Sequence, residues 1–196
     1  MRLDPSSRRA LPLLAVLPLL LGALAACSAE DDCTEFVGQE QTVSVRHDFG
    51  LHADDEEPTA AGPDEATALD DLVRDGDDEF GGVLTIFDSK APAPNDIGLD
   101  AMGAILQQVD RTGSGPANIS LEPIETKPTT IAGLDAYQAE FSTTDDITYT
   151  AWIVPGDERS LDIVLAQSSE SAKDVDLAAE VPDLVTAGGC AMRTAA

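Results

Sequence analysis

Basic side chains are scarce in this chain. It holds 11 lysine and arginine residues against 37 aspartate and glutamate residues, which gives a formal net charge of −26 at pH 7. A field of this sign repels nucleic acid and anionic lipid headgroups, so we expect no nucleic acid among the partners. Most acidic side chains are expected on a solvated surface. An acidic docking face for a basic partner or for cations is the alternative.

Familiar catalytic and metal-binding patterns are also missing from the sequence. It contains neither Gly-x-Ser-x-Gly nor Ser-x-x-Lys, the motifs that position serine nucleophiles. The two histidines, His47 and His52, are an odd number of residues apart, so on one regular strand they would lie on opposite faces, and only a bulge at Gly50 would bring them to one metal ion. The acidic run at 75–79 does not follow the ligand order of an EF-hand loop. We therefore predict no catalytic, cofactor-binding or metal-binding residues.

The first 27 residues show the pattern of an export signal. Residues 1–9 carry three arginines, and residues 10–26 form an uncharged apolar run. The run leads into Leu-Ala-Ala-Cys at 24–27, which resembles the lipobox of bacterial lipoproteins. This resemblance implies that residues 1–26 are a signal peptide and that acyl chains on Cys27 hold the protein on the extracytoplasmic face of the cell membrane. An ordinary signal peptide with an accidental cysteine and an uncleaved anchor helix are the alternatives.

The cysteines bear on the organisation of the exported part. Once Cys27 is acylated, only Cys33 and Cys190 remain, and in an oxidising compartment two cysteines can form one disulfide. We expect a Cys33–Cys190 bridge; two free thiols or a bridge to a partner are the alternatives. Residues 27–35 are predicted to be a polar, lipid-anchored tether, and residues 36–196 have the length of a single globular domain.

Hydrophobic periodicity predicts a mixture of strands and helices. Alternating apolar residues indicate a strand at 42–52, and a run that is apolar on both faces indicates a central strand at Val83–Asp88. Apolar stripes at helical spacing predict helices at about 64–74, 97–111 and 174–188. From about 118 to 168 the period is two, with hairpin-like breaks at 143–146 and 155–158. These elements favour an α+β domain, in which an antiparallel meander packs against two or three helices.

The second half of the chain also resembles a known fold. Thr130–Phe141, the two long strands within Ile147–Ser169 and the closing helix are similar to the second half of the PsbP/Mog1-like fold and to actinobacterial lipoproteins of the LpqN type. This resemblance implies a sandwich of sheet and helices with a binding or accessory role, and it carries no site residue across. The first half departs from the pattern, because a helix predicted at 64–74 takes the place of an opening hairpin.

The only tryptophan, Trp152, lies on the strand parity opposite to Tyr149 and Ile153. It either packs beneath the terminal helix or stands exposed at a ligand or partner surface. We expect a non-enzymatic binding or accessory lipoprotein without a cofactor, whose partner is an unknown protein or a small amphiphilic ligand. An envelope hydrolase that uses His47 and an acidic cation-binding module are the alternatives.

Overall fold

The structure, a computed structural model, describes residues 33–53, 66–75, 80–113, 121–144 and 146–190. In chain order the elements are β1 (Cys33–Val37), β2 (Thr42–Arg46), β3 (His52–Ala53), β4 (Ala66–Asp75), β5 (Phe80–Lys90), α1 (Ile97–Thr112), β6 (Thr126–Ile131), β7 (Leu134–Ser142), β8 (Ile147–Pro155), β9 (Arg159–Ser168), α2 (Ser169–Asp174), α3 (Leu177–Leu184) and β10 (Val185–Ala187). They confirm the predicted α+β class. No helix in these ranges is both long and apolar enough to cross a bilayer. The predicted signal peptide and Cys27 lie outside the described residues.

The strands form two antiparallel sheets. The large sheet has the order β3-β4-β5-β9-β8-β7-β6, and the small sheet has the order β1-β2-β10. Helix α1 covers one face of the large sheet, while the small sheet and α3 cover the other face. The large sheet is therefore the middle layer of a sandwich and has a hydrophobic core on each side.

Burial on both faces explains the sequence of the central strands. The predicted meander is confirmed as β6 to β9, and the turns from β7 to β8 and from β8 to β9 lie where breaks were predicted. Strands β8 and β9 are apolar at most positions because alternate side chains enter opposite cores. Tyr149 and Ile153 belong to the core beneath α1, whereas Trp152 and Val154 belong to the core beneath the small sheet and α3.

Trp152 is an internal residue. Its side chain is only 1% exposed, and its core also contains Leu177, Val181 and Leu184 of α3. Of the two alternatives, packing of Trp152 beneath the terminal helix is therefore the one that the structure shows. This corrects the expectation that Trp152 forms a ligand or partner surface, because both parities of β8 are covered.

The prediction of a helix at 64–74 is wrong, because Ala66–Asp75 form strand β4. Its pairing with β5 shifts after Ala68, where Leu69 is an extra residue. Beyond this bulge, Asp71 faces α1 as Ala68 does, and Leu72 enters the same core that Leu69 packs against. A bulge inserts one residue into the alternation, so each face is lined at a spacing of three. That spacing imitates the apolar stripe of a helix.

The strand predicted at 42–52 is divided between the two sheets. Strand β2 stops at Arg46, and the chain turns at Phe49 and Gly50, whose φ angles are 56° and 82°. Leu51 is then buried, and β3 pairs with β4 in the large sheet. Val43 and Val45 before the turn and Leu51 after it are buried, whereas Phe49 in the turn is exposed.

Helix α1 matches the helix predicted at 97–111. It buries Ile97, Ala101, Ala104 and Ile105 against the large sheet. The chain before β6 crosses this helix at Gly98, where the N–H of Ile124 donates to the Gly98 carbonyl at 2.9 Å. A Cβ atom at residue 98 would collide with the Ile124 backbone, so glycine permits this close crossing.

The helix predicted at 174–188 is shorter than expected. Helix α3 turns Leu177, Val181 and Leu184 inward, as predicted. Val185 is also buried, but it begins β10, which pairs with β2. The free edge of β2 offers backbone hydrogen bonds that end the helix and recruit the chain as a strand.

A disulfide joins the two ends of the described chain. Cys33 is bonded to Cys190, and their Cα atoms are 6.1 Å apart. Because β1 and β10 flank β2, the bond fastens the two outer sides of the small sheet. Strand β1 begins at Cys33, so residues 33–35 of the predicted tether belong to this sheet.

We predict that the double substitution Cys33→Ser/Cys190→Ser lowers the free energy of unfolding by several kcal/mol. The bridged cysteines are 157 residues apart, and a loop of this length gives an upper estimate of about 5 kcal/mol from chain entropy. Urea titration of the variant and of a Cys27→Ser control measures the difference. Equal unfolding midpoints for the two proteins would contradict the prediction.

Candidate functional site

A cleft of about 890 Å³ opens between α1 and one end of the large sheet. The chain from the end of β5 to the start of α1 forms one side, and the turn between β8 and β9 forms the other. Its deepest group is Asp162 of β9, and Leu121 and Tyr137 also line it. Its size suits a small organic ligand.

One face of α1 supplies a wall of the cleft. Asp100, Gly103, Ala104 and Gln107 line it, and their spacing of three and four places them on the same side of a helix. A Cβ atom built at Gly103 meets no other atom within 4 Å. This glycine therefore leaves the middle of the wall open.

The turn opposite α1 is held by the small sheet. Glu40, in the connection between β1 and β2, accepts hydrogen bonds from the backbone N–H groups of Asp157 and Glu158, each at 3.0 Å. Carboxylate-to-backbone bonds of this kind are charge-assisted and well directed. The turn that carries Gly156 and Asp157 into the cleft is thus fixed by a different layer of the sandwich.

Asp162 is a buried carboxyl group in a strand that is otherwise mostly apolar. It is 2% exposed, and the Ser160 hydroxyl donates to its Oδ1 atom at 2.9 Å. Burial, followed by the negative charge of Asp100, raises the pKa of Asp162 to about 7, although hydrogen bonds from Ser89 and Ser160 act in the opposite direction. Desolvation therefore outweighs the two serine donors.

Asp100 lies in the first turn of α1 and faces the same cleft. The positive end of the helix dipole favours its ionised form. Burial nevertheless raises the pKa of Asp100 to about 6. Two neighbouring carboxyl groups that titrate near neutral pH can hold or release protons when the charge in the cleft changes.

The cleft has more hydrogen-bond acceptors than donors. Within the described residues, Oδ2 of Asp100 and Oε1 of Gln107 are buried and have no hydrogen-bond partner. Carboxylates of Asp96 and Asp157 also line the cleft, and Lys90 is the one cationic residue among the described residues that line it. The charge and the unpaired oxygens both favour a ligand that donates hydrogen bonds.

The rim of the cleft is apolar and exposed. The described ranges contain four exposed large hydrophobic side chains, and two of them, Leu99 and Leu121, line this cleft with 38% and 56% of their surface accessible. Prolines 92, 94 and 155 add further apolar surface. Clustered exposed apolar groups beside buried polar ones are typical of a binding site.

The residues predicted from the sequence lie elsewhere. Nε2 of His47 is 2.8 Å from the Thr34 hydroxyl, and Nδ1 of His52 is 3.2 Å from the Gly50 carbonyl oxygen. Neither histidine lines the cleft, and Trp152 is buried beneath α3. Among the described residues there is no group of three or more His, Cys, Asp or Glu side chains placed to hold a metal ion.

Sequence reasoning missed Asp100 and Asp162. Acidic residues are so abundant in this chain that a pair of them carries little information. One local signal was present: Asp162 interrupts an apolar strand, and a charged residue is rarely fully buried without a reason.

We predict that Asp162→Asn stabilises the protein at alkaline but not at acidic pH. The folded-state pKa of about 7 lies above the ordinary value of 3.8, so the folded chain holds an extra proton between these values. The stability that this extra proton contributes is complete below the ordinary pKa of 3.8 and is lost as the pH rises through the folded-state pKa of about 7. Asparagine resembles the protonated acid, so the free energy of unfolding should rise by roughly 4 kcal/mol at about pH 8 and change little at about pH 4.

Urea titrations at the two pH values measure this difference. Glu140→Gln, which removes an exposed carboxylate from β7, is the matched control. A loss of stability in Asp162→Asn at alkaline pH would contradict the prediction.

Comparison with known proteins identifies the fold. No family model matches this chain, and no curated protein matches it. Its structure is similar to the solution structure of cyanobacterial PsbP (CyanoP) from Synechocystis sp. PCC 6803, with a TM-score of 0.52 and 12% identity over 86% of this chain and 99% of that chain. A weaker similarity, with a TM-score of 0.38 and 12% identity, covers 82% of this chain and 94% of LpqN, a protein involved in cell envelope biogenesis of Mycobacterium tuberculosis.

At this level of identity the similarity concerns the fold alone. It confirms the PsbP-like fold that the meander and the closing helix had indicated, and its coverage includes much of the first half of the chain. In that half, β4 pairs with β5 and occupies the segment where a helix had been expected. The chain therefore has a PsbP-like α+β sandwich, with an acidic cleft between α1 and the large sheet.

Proposed function

We propose that this protein is a lipid-anchored, non-enzymatic binding module of the bacterial cell envelope, and that its ligand is a small amphiphile seated in the cleft between α1 and the large sheet. The cleft carries this proposal, because buried carboxyl groups and exposed leucines meet there in one concave site. A protein partner would be favoured by a flat surface. A cleft of about 890 Å³ favours a small molecule instead.

The anchor would keep this cleft close to the membrane. Acylation at the lipobox-like motif would put the acyl chains on Cys27, and β1 begins only six residues later, at Cys33. Six residues of extended chain span at most about 20 Å. The negative charge of the domain opposes adsorption to anionic headgroups, so the acyl chains would supply the membrane affinity.

The hydrolase alternative gains no support from His47. Its Nε2 atom lies against the Thr34 hydroxyl at the small sheet, away from the cleft residues. A general base has to reach the proton that it abstracts in the substrate-binding site. The low identity to CyanoP carries no residue's role across to this chain.

Substitution of the lipobox cysteine tests the anchor. We expect Cys27→Ala to move the exported protein from the detergent phase to the aqueous phase in Triton X-114 partition, because the lipobox-like motif then has no thiol to acylate. Ser28→Ala, which leaves the motif intact, should stay in the detergent phase. Wild-type protein recovered in the aqueous phase with an unmodified Cys27 would contradict the proposed anchor.

Filling the cleft tests the site. Position 103 is on the open wall of α1, so a Phe side chain there can enter the cleft without a backbone collision. We expect wild-type protein, purified from its own membranes, to retain a small-molecule adduct in native mass spectrometry, and Gly103→Phe to lose it.

Gly103→Ala is the matched control. It should keep the adduct and stabilise the helix by about 1 kcal/mol, since glycine in a helix interior costs this much relative to alanine. Equal adduct occupancy in Gly103→Phe and the wild type, or no adduct in either, would count against the cleft as the binding site.

A further inference from the structure

We propose that the cleft is specific for organic ammonium compounds, in which a protonated amine is joined to an apolar body. The amine would lie between Asp100 and Asp162, and the apolar body would lie on Leu99 and Leu121. This inference deepens the proposed function and rests on it.

The unpaired oxygens of the cleft define what the ligand has to supply. Oδ2 of Asp100 and Oε1 of Gln107 are buried without a donor from the described protein. A buried acceptor that has lost its water and gained no donor is costly. A primary ammonium group offers three N–H donors from one atom, and its hydrogen bonds to carboxylates are charge-assisted.

The charges around the cleft distinguish a cation from other donors. Asp96, Asp100, Asp157 and Asp162 line it, and Lys90 is the cationic side chain among the lining residues. An anionic ligand would be repelled, and a neutral alcohol would leave the buried carboxylates without a counter-charge. An ammonium group satisfies both the hydrogen bonds and the charge.

The apolar rim distinguishes an organic cation from a metal ion. Leu99 and Leu121 are exposed beside the carboxylates, and Tyr137 and Pro155 line the same space. Ca²⁺ and Mg²⁺ take six or more oxygen ligands and gain nothing from apolar surface. An alkyl chain attached to the amine would bury these leucines, with about 25 cal/mol gained per Å² of apolar surface covered.

Binding of a cation should also expel protons from the acid pair. The free carboxyl groups of Asp100 and Asp162 titrate near neutral pH, and the bound cation favours their ionised forms. Asp96 before α1, Lys90 of β5 and Asp157 of the β8–β9 turn are the other charged groups among the described residues that line the cleft. Asp88 of β5 adds a negative charge that also acts on Asp162, and Asp88 is itself paired with Arg159 of β9. Affinity for an amine should therefore rise by at least about tenfold between about pH 5 and about pH 8.

A matched ligand series tests this inference. The probes are hexylamine, hexanol and hexanoate, titrated by calorimetry into the mature chain with Cys27→Ser, which keeps the Cys33–Cys190 bond and lacks only the lipid. We expect hexylamine to bind at least about tenfold more tightly than hexanol, and hexanoate not to bind, because charge-assisted pairing is available to the amine alone. Hexylamine binding in two buffers of different ionisation enthalpy should show proton release.

Variants locate the binding event. Asp100→Asn and Asp162→Asn should each weaken hexylamine binding by about tenfold, reduce the proton release and narrow the difference in affinity between hexylamine and hexanol. Glu140→Gln, which removes an exposed charge on another part of the sheet, should behave as the wild type. Thermal unfolding of every variant verifies that the fold is intact.

Three outcomes would overturn the inference. Equal affinity for hexylamine and hexanol would mean that the cleft selects apolar bodies alone, and the proposed function would stand. Tight Ca²⁺ binding that is lost in Asp100→Asn and that blocks hexylamine would assign the acid pair to a metal ion. Absence of amine binding, combined with a native adduct that Gly103→Phe removes, would refute the ammonium specificity but not the cleft.

Discussion

The large sheet of this protein is covered on both faces, and the rest of the structure follows from that constraint. A strand between two cores has to be apolar at successive positions, as β8 and β9 are. Helix α1 supplies one cover, and the small sheet with α3 supplies the other. Each cover has an apolar side that cannot remain in water, so the layers stabilise one another by burial.

Polar groups inside this sandwich are tolerated where a partner or an opening accommodates them. Asp88 of β5 accepts from Nε of Arg159 at 3.0 Å, and Asp71 of β4 pairs with Arg111 of α1. Asp162 has serine donors but no such cationic partner among the interactions described for it. It lies where α1 stops covering the sheet, and the cleft begins at that position. The incomplete cover by α1 thus creates both the space and the perturbed acid at its floor.

The same architecture brings the chain ends together. Strands β1 and β10 come from opposite ends of the described chain and pair with the two edges of β2, and the Cys33–Cys190 bond fastens them. The small sheet also holds the cleft, because Glu40 binds the backbone of the β8–β9 turn. A pull on the N-terminal side of β1 would therefore be resisted by the disulfide and by both edges of β2, close to the layer that shapes the binding site.

Several features could be read from the sequence because they depend on local order. The period of two from β7 to β9, the run in β5 that is apolar on both faces and the helical stripe of α1 each persist over many residues. The disulfide could be predicted as well, because only Cys33 and Cys190 remain once Cys27 is assigned to the lipid.

The bulge in β4 led the periodicity argument to a wrong element, since one inserted residue gave a strand the spacing of a helix. The environment of Trp152 could not be decided from the sequence either. Strand parity indicates that Trp152 and Tyr149 lie on opposite faces of the sheet, but it does not indicate that both faces are covered. The candidate site could not be predicted from the sequence for a related reason. Asp100 and Asp162 are far apart in the chain, and only the packing of α1 on the large sheet makes them neighbours. Sequence periodicity therefore determined most of the elements, whereas the layer contacts of the folded chain decided which acids lose their water and where the cleft lies.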